Sequence, residues 1–329
     1  MAFMIPLSVL DLAPVPEGAD AGRALRNSLE LAQAAERLGY RRFWMAEHHS
    51  MPGIASAATA VALAFVGAGT STIRIGAGGV MLPNHSPLVI AEQFGTLESL
   101  VPGRVDLGLG RAPGTDRPAA LALRRNLGSD ENRFPQDVVE LMSYFERREG
   151  RGVRAVPGEG LDIPVWILGS SLFGAQLAAM LGLPYAFASH FAPAQMEAAI
   201  EVYRDRFQPS AQLHRPYVML GFNGFAAETA DEAELLATSV QQAFVNLRTG
   251  NPGKLPPPLR GYRETLPSRA RAMIDEVLSC SAVGDAATVR EGIEAFAGRT
   301  GADELMITSQ IFDHQARLRS YEIVAQAMA

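Results

Sequence analysis

The sequence predicts a (β/α)8 TIM barrel, an α/β fold, running as a single domain over residues 1–329. Three observations carry that prediction. Short apolar runs alternate with amphipathic segments through eight successive units. The runs are continuous rather than interleaved with polar residues, as parallel strands covered on both faces require. The first run ends in Leu10-Asp11-Leu12-Ala13-Pro14, without the Gly-x-Gly-x-x-Gly turn that marks the dinucleotide site of a doubly wound sheet.

The units follow in order. Residues 3–12 read as the first strand. Residues 21–38 read as its helix, with apolar positions at helical spacing and Gly39 as the stop. Residues 41–46 and 55–69 make the second unit, 73–82 and 87–100 the third. The fourth is 104–110 and 134–149, separated by a long loop. Residues 164–168 and 172–181 are the fifth, 185–188 and 194–207 the sixth, and 217–225 the seventh strand. An insertion then spans approximately 228–283. Its helices, 231–247 and 268–278, flank a Pro/Gly-rich loop at 250–263 that reads as a candidate lid. The count resumes with helix 286–297, strand 304–308 and helix 316–328.

Composition excludes several chemistries. Hydrophobic residues make up 48% and charged residues 19% of the 329, a globular balance. With 29 basic against 35 acidic residues the net charge is −6, and the arginines are dispersed, so no nucleic-acid partner is expected. No apolar run reaches the roughly 20 residues of a membrane span. The N-terminus lacks a basic leader region, and a cytoplasmic protein is expected. Lys254 is the sole lysine and sits among prolines, neither in a phosphate-binding loop nor in a buried site suited to a Schiff base. One cysteine, Cys280, rules out multi-thiol zinc sites, iron–sulfur clusters and intramolecular disulfides. It lies in an apolar stretch with helical character and reads as a small buried hydrophobe. Chemistry is left to histidines, carboxylates, arginines, hydroxyls, backbone groups or a bound cofactor.

In a barrel of this kind chemistry belongs at the C-terminal ends of the strands. Glu47-His48-His49 closes the second strand. A general acid or base needs an imidazole with a partner to orient it, and Glu47 is in place for that. Neighbours on a strand face opposite ways, so His48 and His49 are not expected to chelate one ion, and no metal is assigned. The bland alternative is a solvated loop. Gly78 and Gly79 remove side chains from the third strand, admitting either a flat ring or a bulge. Arg111 follows the fourth strand as a phosphate contact or a surface ion pair. Gly169-Ser170-Ser171 opens a helix, as an anion site or an ordinary cap. His190 ends the sixth strand as a ligand contact or a core histidine. His85 reads as a cap of the helix that follows it.

Several segments resemble the bacterial luciferase-like flavin-dependent monooxygenases. They are Phe43-Trp44-Met45-Ala46-Glu47-His48-His49, Ile75 to Pro83, Gly103-Arg104-Val105-Asp106-Leu107-Gly108-Leu109-Gly110-Arg111, Leu168 to Pro184, and Val283-Gly284-Asp285 to Leu305. The resemblance spans nearly the whole chain, in order, and points to the single-chain subgroup of unassigned substrate. It implies a barrel that binds FMN, taken in reduced form from a separate flavin reductase. Oxygen then adds to give a C4a-(hydro)peroxyflavin, which oxygenates a small organic substrate. By position, Gly78 and Gly79 would lie along the isoalloxazine, joined by a non-prolyl cis peptide. Glu47 would line the flavin pocket, Arg111, Gly169, Ser170 and Ser171 would hold the phosphate, and His190 would contact the cofactor. His48 or His49 would be catalytic at the flavin edge. A homodimer is implied, with helix 55–69 as a candidate interface. Gly110 stands where the luciferase catalytic subunit has a reactive cysteine, which argues against light emission from a long-chain aldehyde. Rival readings are an F420-dependent dehydrogenase on the same barrel, a flavin-binding protein without turnover, and a metal hydrolase using His48 and His49.

Overall fold

In the computed structural model, which describes residues 5–112, 122–123, 133–147 and 152–329, a closed parallel barrel forms. Its eight staves are β1 (Leu7–Asp11), β2 (Arg42–Met45), β3 (Arg74–Met81), β4 (Val105–Gly110), β5 (Val165–Gly169), β6 (Tyr185–Phe187), β7 (Val218–Ala226) and β9 (Glu304–Thr308). Each pairs with the next in sequence, β6 pairs with β7, and β7 pairs with β9, which closes on β1. The helices outside are α1 (Ala21–Arg37), α2 (Thr59–Ala68), α3 (Pro87–Leu100), α4 (Phe134–Ser143), α5 (Leu172–Leu181) and α6 (Met196–Arg206). They continue as α7 (Ala230–Arg248), α8 (Ser268–Val277), α9 (Ala286–Thr300) and α10 (His314–Met328). Most of the long loop expected between the fourth strand and its helix lies outside the described residues.

The strand–helix order follows from burial on both strand faces. One face of each strand packs on helices in a single large core that includes Val9, Phe43, Ile75, Leu107, Ile167 and Leu220. The alternate residues point inward and stack in layers. The middle layer is apolar: Leu10, Trp44, Trp166, Ala186, Met219 and Met306. Below it, at the N-terminal floor, the inward residues are charged. Arg42 bridges Asp106 at 2.8 Å and Glu304 at 2.9 Å. Asp106 also takes Arg74 at 2.6 Å and the Trp44 indole N–H at 3.1 Å. Glu304 accepts from Ser8 and, at 2.8 Å, from the Tyr217 hydroxyl.

Helix starts are written in side chains. Asp20, Thr229, Asp285 and Asp313 each accept from the backbone N–H three residues on, capping α1, α7, α9 and α10. The second helix starts at Thr59, later than the periodicity predicts. Ser56 donates to the carbonyls of Ala46 and Leu12, and the Ala55 N–H goes to Ala13, which holds residues 55–58 as a strap across the top of β1 and β2.

Two features of the insertion differ from the sequence reading. Residues 281–284 form a short strand, β8 (Ser281–Gly284), which pairs with the outgoing half of β7. Cys280 therefore sits at a strand entrance, not in a helix, although it is buried as expected. The proline-rich loop is also stitched down. Leu255, 3% exposed, exchanges backbone hydrogen bonds with Val15 and Glu17 at 2.9 Å. Gly53 meets Gly253 so closely that an added Cβ would lie 2.3 Å from the Gly253 oxygen. Lys254 stays exposed and donates to the Ala19 carbonyl.

Candidate active site

The mouth of the barrel is built from strand ends whose inward residues have run out of charged partners. A cavity of about 50 Å³ is floored by Leu10, Trp44, Met219 and Met306 and walled by Gly78, Leu168 and His190. It is too small to enclose a tricyclic ring, and instead offers a flat apolar floor on which one can lie. Gly78 keeps that floor open, because a Cβ there would sit 2.9 Å from Leu10 and 3.1 Å from the Trp44 ring. The Gly78–Gly79 peptide bond is cis, and the β3–β4 register shifts between Ala77 and Val80.

The Glu47-His48-His49 motif follows β2, which ends at Met45, and within it Glu47 and His49 share a hydrogen bond that His48 does not join. His190 lines the mouth, and His48 acts on it electrostatically. Burial pushes the His48 imidazole down to about 4, with Glu47 pulling it up and His49 pushing it further down. Burial, then His48, pushes His190 down to about 4 as well. Both rings are therefore neutral near pH 7. The Nδ1 atoms of both are buried without a hydrogen-bond partner among the described residues. His190 is seated on Gly221, where a Cβ would come within 2.0 Å of its Nδ1, and Asn223 holds its backbone carbonyl at 2.8 Å.

The Glu47 carboxylate is 2% exposed. His49 Nε2 donates to it at 2.5 Å, His85 Nε2 at 2.8 Å and the Met81 amide at 3.1 Å. Burial alone would raise its pKa; the hydrogen bond and charge of His85, with the hydrogen bonds of His49 and the Met81 amide, outweigh burial and hold it below the ordinary carboxylate value. These groups line a separate cavity of about 330 Å³, between the start of α2 and the face of α3.

A third cluster lies at the end of β5. Ser171 is the N-cap residue of α5 but does not use its hydroxyl to cap the helix. Ser170 is exposed and Gly169 half-buried beside it. From the end of β4, the Arg111 guanidinium lies 4.2 Å over the ring of Phe173 in the first turn of α5. A cation and two hydroxyls thus stand beside the free amides of a helix start, all donors of the kind an anion takes.

The structure sets Arg111 over the first turn of the helix that Gly169-Ser170-Ser171 opens, and Gly78 and His190 on one opening. Sequence reasoning treated Glu47, His48 and His49 as one group, which the structure separates. It missed His85 as a partner of Glu47 and Gly221 as the seat of His190. A glycine inside an apolar strand run was the available signal for Gly221; His85 is 38 positions from Glu47 and gave none.

The fold is a TIM barrel whose mouth presents an apolar floor with His190 on its wall. A sequence model of the luciferase-like monooxygenases matches residues 5–304, and the chain belongs to that family. A luciferase-like monooxygenase of Escherichia coli K12 is 55% identical over 320 residues, covering 97% of this chain and 96% of that one. The N-acetyl-S-alkylcysteine monooxygenase of Bacillus subtilis is 31% identical, covering 99% and 98%. The crystal structure of apo-MsnO8 superposes with a TM-score of 0.88 at 35% identity, covering 98% of each chain.

Proposed function

We propose that the chain is a reduced-FMN-dependent monooxygenase acting on a small organic substrate. The observation that carries this is the apolar floor left open at Gly78, with the neutral His190 ring on its wall and its Nδ1 buried without a partner among the described residues. Unpaired buried polar atoms are costly and call for a ligand that satisfies them. The residues present fit a flavin. An apolar floor suits the ring, and the Arg111–Ser170–Ser171 cradle suits a phosphate.

Bound reduced flavin supplies the electrons and activates O2. The chain supplies the rest. The floor residues and Gly78 would hold the ring and exclude water. Arg111, Ser170, Ser171 and the α5 amides anchor the phosphate. His48 and His190, uncharged at neutral pH, would accept or donate a proton at Nδ1. His48, not His49, takes the catalytic role in this reading. Reduced flavin would come from a separate reductase. Pairing of two copies would use the apolar face of α2, where Val61 is 72% and Phe65 46% exposed.

The test is ligand titration with FMN, riboflavin and F420 in parallel. FMN should bind, and Arg111→Ala should weaken FMN at least tenfold while leaving riboflavin nearly unchanged. Tight F420 binding without FMN binding would assign the barrel to deazaflavin dehydrogenases. Incorporation of ¹⁸O from O2 into product then separates a monooxygenase from a binding protein, and the relative active on an S-alkylated cysteine makes thioethers the first substrates to screen.

A further inference from the structure

We infer that Glu47, His49 and His85 form a binding site for a divalent cation of the zinc class, outside the barrel mouth. Their ligand atoms lie within 4.8 Å of one another. Two imidazoles and one carboxylate are a donor set suited to Zn²⁺, Co²⁺ or Fe²⁺, and three protein ligands leave positions open. The open side faces the cavity of about 330 Å³, with Gln93 and Thr59 on its wall, so water or a small anion can complete the coordination.

The support around these ligands is that of a built site. Glu47 Oε2 accepts from the Met81 amide at 3.1 Å, which fixes the carboxylate and leaves Oε1 directed at the two rings. Outer hydrogen bonds that orient a metal ligand are part of such centres. The three residues come from two strand ends, with His85 held at the end of a 3-10 turn after β3 by its N–H to Leu82. His49 and His85 both present Nε2, the atom a cation would take. Binding exchanges their two N–H···O contacts for coordinate bonds and moves the ring proton to Nδ1, opening the present 2.5 and 2.8 Å separations toward about 3 Å for bonds of roughly 2.0–2.2 Å. His48 and His190 take no part.

The site stands or falls separately from the flavin reading, because its readouts need no flavin and no turnover. Metal-stripped full-length protein is titrated with Co²⁺ and then Zn²⁺. One Co²⁺ per chain should bind with a visible d–d absorption of a four- or five-coordinate ion, and Zn²⁺ should displace it. Zn²⁺ should raise the melting temperature. His85→Ala, at a side chain 25% exposed, should weaken Co²⁺ at least 100-fold, as should His49→Ala, while His190→Ala leaves it within twofold. Circular dichroism of each variant shows that it is folded. Absence of one-to-one binding by folded wild type, or undiminished binding in both His85→Ala and His49→Ala, would overturn the site and leave the triad as a hydrogen-bonded cluster.

Discussion

The two ends of the barrel handle polar groups in opposite ways. At the floor, Arg42, Asp106, Glu304, Arg74 and Tyr217 satisfy one another in a dense network. At the C-terminal end, two imidazoles are buried with a nitrogen each left over. Between them lies one apolar layer anchored by Trp44 and Trp166, whose rings meet edge-on at 5.1 Å. The contrast shows where to look for function. A buried charge whose lone pairs are all used is part of the scaffold; a buried, unpartnered nitrogen on the wall of an open cavity, as at His190, is a group a ligand can satisfy.

The largest effect should come from breaking the floor. Asp106→Leu leaves Arg42 and Arg74 without their shared carboxylate, and breaking such a buried set costs about 3–5 kcal/mol. Denaturant melts should show it, with activity lost only through unfolding. At the C-terminal end, His48→Asn should do the reverse: stability little changed, turnover down roughly 10²- to 10⁴-fold, and FMN affinity within a few-fold. If His49→Asn costs turnover more than His48→Asn, the division of roles between the two histidines is wrong. Gly221→Ala should cost about 1–3 kcal/mol by overpacking, because the new methyl lands on His190, and it should weaken FMN binding as that ring moves.

Acid should separate the ends more gently. Unfolded histidines titrate near 6.5, whereas folded His48 and His190 hold out to about 4. Below 6.5 the unfolded chain takes up protons that the fold refuses. This contribution to stability is complete above about pH 6.5 and declines as pH falls toward 4. The double variant His48→Asn/His190→Asn should flatten the pH dependence of the melting temperature in that window. The smallest effect is at Lys254, exposed in the stitched loop. Lys254→Ala should stay within about 0.5 kcal/mol, and amine labelling of Lys254 should be unchanged by FMN, since Leu255 already fixes the loop to Val15 and Glu17.

Much of the fold was legible because continuous apolar runs and helical periodicity repeat at every unit, and capping residues such as Asp20 and Asp313 stand where helices begin. What escaped was set by tertiary contacts. β8 is four residues long, and only its pairing with β7 makes it a strand. Residues 55–58 are apolar enough for helix, yet Ser56 diverts them. At the site, adjacency along the chain already implied that His48 and His49 diverge. It did not say which of them shares Glu47, because His85 arrives from another strand end.

Asn223 is where the barrel and the insertion meet. It pairs with Thr308 of β9 and with Ser281 of β8, and its amide holds the His190 carbonyl. Barrel closure uses the first part of β7, while the insertion hangs from the last. Residues 230–280 are therefore an attachment, exchangeable for another of different length or sequence without reopening the barrel. An exchange would be felt at the mouth through Asn223, through the Phe244 ring against Phe191, and through the Leu255 stitch to Val15 and Glu17, so a new attachment can retune His190 while the staves are left standing.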